Sequence, residues 1–166
     1  MVGDTVANST SISELKERVV KAIAEDDTLF YAFDARECEN GGDLINTHIF
    51  KYNKNPNTIT EEITFLTVMV HTNARDRNRI FVTPTLEFRI YSHNGHMKMD
   101  SIITKDNRND YISMLLDDKF NGSTKYGGIG KLRLVKNEEG TYNDSFLYRR
   151  MVFETIDIND SFCDND

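Results

Sequence analysis

Two stretches decide the fold: Ile59-Thr-Glu-Glu-Ile-Thr-Phe-Leu-Thr-Val-Met-Val-His71 and Arg79-Ile-Phe-Val-Thr-Pro-Thr-Leu-Glu-Phe-Arg-Ile-Tyr-Ser92. Both are rich in β-branched and aromatic residues, and turn-forming residues bound them, which is the signature of strands. In the first, Ile63, Phe65 and Met69 share one face while Leu66, Val68 and Val70 share the other. A strand apolar on both faces towards its end reads as central in a sheet. In the second, Ile80, Val82, Leu86, Phe88 and Ile90 alternate with Thr83, Thr85, Glu87 and Arg89. Pro84 supplies no ladder donor, so that strand is expected at an edge or bulged there. The loop 72–78 is short enough to join the two as an antiparallel pair.

Working outward, Asn94-Gly95 is a two-residue hairpin signal and predicts a return strand over His96 to Ile103. Asn107 to Phe120 carries helical spacing, with Tyr111, Met114, Leu115 and Asp118 along one line and Ile112 and Leu116 beside it; Asn121-Gly122 supplies the stop. Lys131 to Lys136 and Phe146 to Ile158 read as two further strands, joined across Asn137 to Gly140 and a polar extension. Upstream, Ser11 and Glu14 form a capping-box pattern. Ile12, Leu15, Val19, Ala22 and Ile23 follow at helical spacing, and the helix is expected to end near Asp26 and Asp27. Leu29 to Phe33 is a short apolar run before a polar turn, and Leu44 to Tyr52 reads as a short strand. The expected architecture is α+β: a mostly antiparallel sheet of four to five strands packed against two helices, in a single domain over 11–158. Residues 1–10 are read as a flexible arm and 159–166 as an acidic flexible tail.

At 166 residues the chain fits one domain. The longest apolar run falls far below the roughly 20 residues of a membrane span, and the start lacks the basic and apolar blocks of a signal peptide. Cys38 and Cys163 are far apart and neither belongs to a CxxC pair, so both are read as reduced thiols. The net charge of −7 argues against a broad grip on nucleic acid.

Nothing in the sequence assembles a catalytic, metal or cofactor site, and an enzyme is not expected. His93 and His96 flank the turn without a third ligand at a supporting interval. His48 and His71 stand alone in strand-like segments. The glycine run Gly127-Gly128-Ile129-Gly130 follows a helix and opens a strand, the reverse of a phosphate-binding loop. Two stretches look like contact surfaces. Arg75, Arg77 and Arg79 alternate in a loop of an acidic protein, and read as a solvated hairpin tip or as a subunit or partner contact, with DNA a third choice. Tyr148, Arg149 and Arg150 lie in an aromatic strand of the composition that supplies interface hot spots, though an ordinary amphipathic strand reads the same way.

The order of elements resembles the small neck proteins of long-tailed bacteriophages, the tail-terminator and tail-completion group that joins tail to head. The matching stretches include the opening helix, Ile63 to Val70, Leu86-Glu-Phe-Arg-Ile-Tyr-Ser-His93 and Arg108-Asn-Asp-Tyr-Ile-Ser113. They continue through Gly128-Ile-Gly-Lys-Leu132 and Tyr148-Arg-Arg-Met-Val-Phe-Glu-Thr155. The resemblance implies a structural virion protein forming a homo-oligomeric ring, most often a hexamer. Such a ring would end the tail tube and meet the head-closure or connector proteins, with DNA passing through its lumen unbound. Tail terminator is the first expectation, head-closure adaptor the nearest variant, and a small non-viral protein-binding domain the alternative of another class. Leu29-Phe30-Tyr31 has no counterpart in that group, and the segment 33–57 is longer than a minimal terminator needs.

Overall fold

The computed structural model describes residues 8–74, 82–126 and 131–156. The two deciding stretches pair antiparallel as expected, although the first strand begins at Thr64 rather than Ile59 and includes residues 72–74, expected as loop. Strand β2 (Thr64–Ala74) runs antiparallel to β3 (Val82–His93), in register from Thr64 opposite Ser92 to Ala74 opposite Val82. Strand β5 (Phe146–Ile156) covers the other side of β3, and β4 (Lys131–Thr141) covers β5. A two-residue β1 (Ile49–Phe50) adds a parallel edge beside Leu66 and Thr67, giving the order β1-β2-β3-β5-β4. The fold is α+β, with a mostly antiparallel five-stranded sheet.

Three helices, one more than expected, lie on one face: α1 (Asn8–Ala24), α2 (Asp27–Phe33) and α3 (Arg108–Phe120). The additional helix is the Leu29–Phe33 run. Asp26 caps it by accepting from the amides of Thr28 and Leu29 (3.0 and 3.1 Å), and Asp34 closes it in the left-handed region. Helix α1 starts at Asn8, so Ser11 lies inside it rather than at its cap, and residues 8–10 are helix rather than arm. Asn107 caps α3 through the amide of Asp110, and Gly122 follows its end at φ +79°.

Strand alternation places Leu66, Val68, Leu86, Phe88, Ile90, Met151 and Phe153 on the helix face. They pack there against Val19, Ile23, Leu29, Phe33, Ile112, Leu116 and Phe120. The buried line of α3 is therefore the Ile112–Leu116 line, and Met114 on the neighbouring line is 54% exposed. A second, aromatic cluster of Phe50, Phe65, Tyr91 and Phe146 fills one end of the opposite face, under Ile59 and Ile63. Phe65 stacks on Tyr91 at 4.9 Å between ring centroids.

Four further expectations are corrected. Asn94-Gly95 does not turn a hairpin: Asn94–His96 is a single 3₁₀ turn, and no strand runs over 96–103. Asn94 is instead held by the β4–β5 end, donating to the carbonyls of Ser145 and Asp144 (2.8 and 2.6 Å). The position opposite β3 goes to the better-alternating β5, and Ile102 is left 90% exposed. Strand β4 continues through Asn137 to Gly140, so its turn with β5 falls at 142–145. Within Leu44 to Tyr52, only Ile49 and Phe50 are strand. The strand that carries Pro84 is neither at an edge nor bulged there: β3 is the middle strand and its register with β2 runs unbroken through Thr72–Pro84, the proline being tolerated because it precedes the first β3–β5 pair, Thr85 with Glu154.

Candidate interaction surface

Among the described residues no helix covers the second face of the sheet, and alternation sends Glu87, Arg89 and Tyr91 of β3 to it, beside Tyr148, Arg150 and Val152 of β5. Glu87 is the hub of this face. Though 3% exposed, its carboxylate accepts from Arg150 Nε and Nη2 (2.9 and 3.0 Å) and from Arg89 Nε (2.6 Å). His71 Nε2 lies 3.4 Å away. Burial alone would raise the carboxyl; the fork of Arg150 and the Arg89 guanidinium outweigh it and hold the acid down to about 2. Arg150 also donates to Glu138 (3.1 Å), and its guanidinium is stabilised as the cation by Glu87 first and Glu138 second.

Above this hub, Arg89, Tyr91, Glu138, Tyr142, Tyr148 and Arg150 line an open cleft of about 330 Å³. Tyr142 closes its end, with its hydroxyl 3.0 Å from Asn55 Oδ1. The Tyr148 ring lies across Gly140 on the partner strand, where a Cβ would sit 2.8 Å from the hydroxyl. Two arginines face Glu87 and Glu138, so the cleft is rich in arginine and tyrosine yet close to charge-neutral. Such a surface suits a protein partner better than a phosphate.

Tyr148 and Arg150 therefore belong to one surface, and Arg149 does not. As the intervening residue of β5 it points to the helix face, where Nε and Nη2 bind Asp110 Oδ1 of α3 (2.9 and 2.6 Å). Nη1 and Nη2 also bind Asn137 and Glu139 of β4 (2.8 and 3.0 Å). Arg149 is a clamp of the fold. Arg75, Arg77 and Arg79 lie outside the described residues, as do residues 1–7, the glycine run 127–130 and the tail 159–166. Glu87, Arg89 and Tyr91 were not singled out from sequence as a surface, although their spacing of two within a strand was the available signal.

Two other polar clusters lie among the described residues. Thr64, Ser92, Asn109 and His96 form a chain of hydrogen bonds, each 2.7 Å, on the helix side. Beside it, the 5%-exposed Arg108 donates to the carbonyls of Ala32, His96 and Lys98. His93 accepts from the Gly95 amide (3.0 Å), so neither turn-flanking histidine is idle. Separately, the fold gathers Glu37, Cys38 and His48, with one ligand atom of each within 4.8 Å of the others. The 2%-exposed His48 has Nε2 3.2 Å from Glu37 and Nδ1 4.0 Å from the Cys38 sulfur.

A family model named YomW matches residues 17–155, nearly the whole described domain. The chain belongs to the YomW family. YomW is a protein family of phage regions (Bacillus prophage), in keeping with the phage origin implied by the resemblance and without reference to the neck. The match spans all five strands up to Thr155, and the cleft and the Glu37–Cys38–His48 group both fall within it. No curated protein and no solved structure matches the chain. No described helix is long and apolar enough to cross a membrane.

Proposed function

We propose that this YomW-family protein is a structural virion protein that forms a ring at the phage neck, ending the tail tube and joining it to the head. The observation that carries the proposal is the pair of sheet edges that no described strand covers, although residues 121–123 already bond the start of one of them at Leu132 and Leu134. On one side lies β4, eleven residues long; on the other lies the part of β2 beyond Thr67, which the two-residue β1 does not reach. Among the described residues no strand covers either edge. Unpaired edges are a hazard in a free monomer and a ready joint between copies. Because the two edges differ, the contact would run head to tail, and such contacts close into rings when the rotation per copy permits. The net charge of −7 suits a lumen that DNA crosses without being held. Phage-region family membership supports the same reading.

Within the neck, the tail-terminator position is the first reading and the head-closure adaptor the nearest variant; both use the same edges. A second class of reading is favoured by the arginine–tyrosine cleft, which suits a small protein-binding domain that captures one partner segment without forming a ring. Mass by light scattering across a concentration series, alone and with phage tail tubes, separates these. A closed ring, or capture confined to tube ends, supports the neck. A monomer that ignores both tubes and head-closure proteins refutes it and leaves the cleft.

A further inference from the structure

We propose that Glu37, Cys38 and His48 form a binding site for one divalent cation of the zinc class. Thiolate, imidazole and carboxylate together are a borderline-soft donor set that favours zinc and its late first-row neighbours over magnesium or calcium. Metal–ligand bonds of about 2.0–2.3 Å at a tetrahedral centre place the donors roughly 3.3–3.7 Å apart. The Cys38 sulfur is 4.0 Å from His48 Nδ1 and the Glu37 carboxylate 3.2 Å from the other ring nitrogen, Nε2; with one ring nitrogen taken as the donor, all three ligand atoms lie within 4.8 Å, and the Glu37 carboxylate turns to share that nitrogen's side. Closing the site takes a movement of an ångström or so, and Glu37, whose side chain is 63% exposed, is the ligand free to make it. The fourth position then opens to solvent on the Glu37 side.

The frame around the site is rigid where it needs to be. His48 is clamped to the sheet, because its carbonyl accepts from the Leu66 amide (2.7 Å) and its own amide donates to Leu44 (2.8 Å). Cys38 is fixed by the hydrogen bond its amide donates to the Ala35 carbonyl (3.0 Å). Between them, Asn40 and Asp43 form a capping box around the 3₁₀ turn Gly41–Leu44. The metal would staple the end of α2 to the edge strand β1, across a segment that the phage neck resemblance does not account for.

The same trio could be read as a nucleophile, a base and an orienting acid. The chemistry opposes that reading. Burial first, and the Glu37 and Asp43 carboxylates next, push the Cys38 thiol up, away from the thiolate a nucleophile requires. A cation reverses the effect of those carboxylates, which then help hold it.

The test uses the full chain, reduced and metal-free, titrated with Co²⁺ and then challenged with Zn²⁺. The expected result is one Co²⁺ per chain, a thiolate-to-cobalt charge-transfer band, and its loss as Zn²⁺ displaces the probe. Cys38→Ser abolishes the band, Cys163→Ser retains it, and Glu37→Gln, at an exposed position, weakens binding at least tenfold. In the wild-type chain, whatever the variants do to folding, Zn²⁺ slows alkylation of Cys38 and leaves that of Cys163 unchanged. A titration without the band overturns the proposal, as does a band that follows Cys163, unaltered affinity in Glu37→Gln, or equal alkylation of Cys38 with and without Zn²⁺.

Discussion

Replacing Glu87 by Gln keeps the shape of the buried hub and removes its charge, and the consequence is a change in how stability depends on pH. In the folded chain Glu87 is held at about 2, against an ordinary value of 4.5. A carboxyl whose folded value is depressed contributes stability that is complete above its unfolded value and is lost as pH falls towards its folded one. A shift of this size corresponds to about 3 kcal/mol near neutrality, of which about 2 kcal/mol is gone by pH 3. Both arginines reach solvent, with 26% and 31% of their side chains exposed, so rehydration offsets part of the loss. The expected cost of Glu87→Gln at pH 7 is therefore nearer 2 kcal/mol. Urea unfolding followed by far-ultraviolet circular dichroism at pH 7, 5, 4 and 3 measures it. The other carboxylates titrate in both proteins, so the informative quantity is the difference between them. That difference should shrink steadily below pH 4.5. Parallel curves, with wild type and variant losing the same stability between pH 6 and pH 3, would refute the ion-pair hub and with it the charge balance of the cleft.

Gly41→Ala should destabilise by about 3 kcal/mol, because an added Cβ would lie 1.6 Å from the Ala24 carbonyl oxygen. Gly42→Ala should cost less, about 1 kcal/mol, because its Cβ would meet only Asn40 Oδ1, at 2.9 Å, and moving that oxygen weakens the cap of the Gly41–Leu44 turn. Arg149→Glu should cost roughly 2–3 kcal/mol, since it leaves Asp110 and Glu139 facing a third carboxylate; a variant that unfolds at the wild-type urea midpoint would show the clamp to be idle. Val135, 42% exposed at the register shift of β4, offers a cleaner probe of the edge. Val135→Lys should leave unfolding unchanged while abolishing any ring or tube-end binding seen by light scattering.

The long strands and two of the helices could be read from the chain because each has a period of its own: two for Leu86 to Ile90, near 3.6 for Leu15 to Ile23. What period cannot carry is competition between segments. Residues 96–103 follow a good turn dipeptide, yet β5 offers Phe146, Tyr148 and Met151 to Phe65, Tyr91 and Phe88, and wins the place beside β3. Leu29 to Phe33 is too short for periodicity, and its helix depends on a cap at Asp26 and on burial of Leu29 and Phe33. The cleft was half legible. Alternation sets Arg150 and Tyr148 on one face and Arg149 on the other, but only three dimensions supply Glu87 as the reason Arg150 sits still. The Glu37–Cys38–His48 group was not legible at all: its residues meet through one 3₁₀ turn, Gly41–Leu44, and the loops on either side of it, with no pattern in sequence.

The distribution of partners over the sheet narrows where this protein can meet another. On the helix face, Arg108 is spent on three backbone carbonyls, and Arg149 on Asp110, Asn137 and Glu139. A mutation there reports on folding whatever the protein does. On the open face, Glu87 holds Arg89 and Arg150 from below, while the Tyr142 and Tyr148 rings stay at the rim of the cleft. Aromatic rings beside prepositioned guanidinium groups lose little conformational freedom on contact, a common property of hot spots. The edge of β4 beyond Leu134 and the edge of β2 beyond Thr67, which no described strand covers, lie on the two flanks of that face. A ring made by pairing edges would therefore carry six-fold or similar repeats of the cleft on one surface of the sheet, where a second ring could dock. Edge and cleft variants then separate cleanly: loss of the ring from Val135→Lys, and an intact ring that no longer captures its neighbour from Tyr148→Ala. If both substitutions abolish ring formation together, the cleft is part of the subunit joint and the docking surface must lie elsewhere.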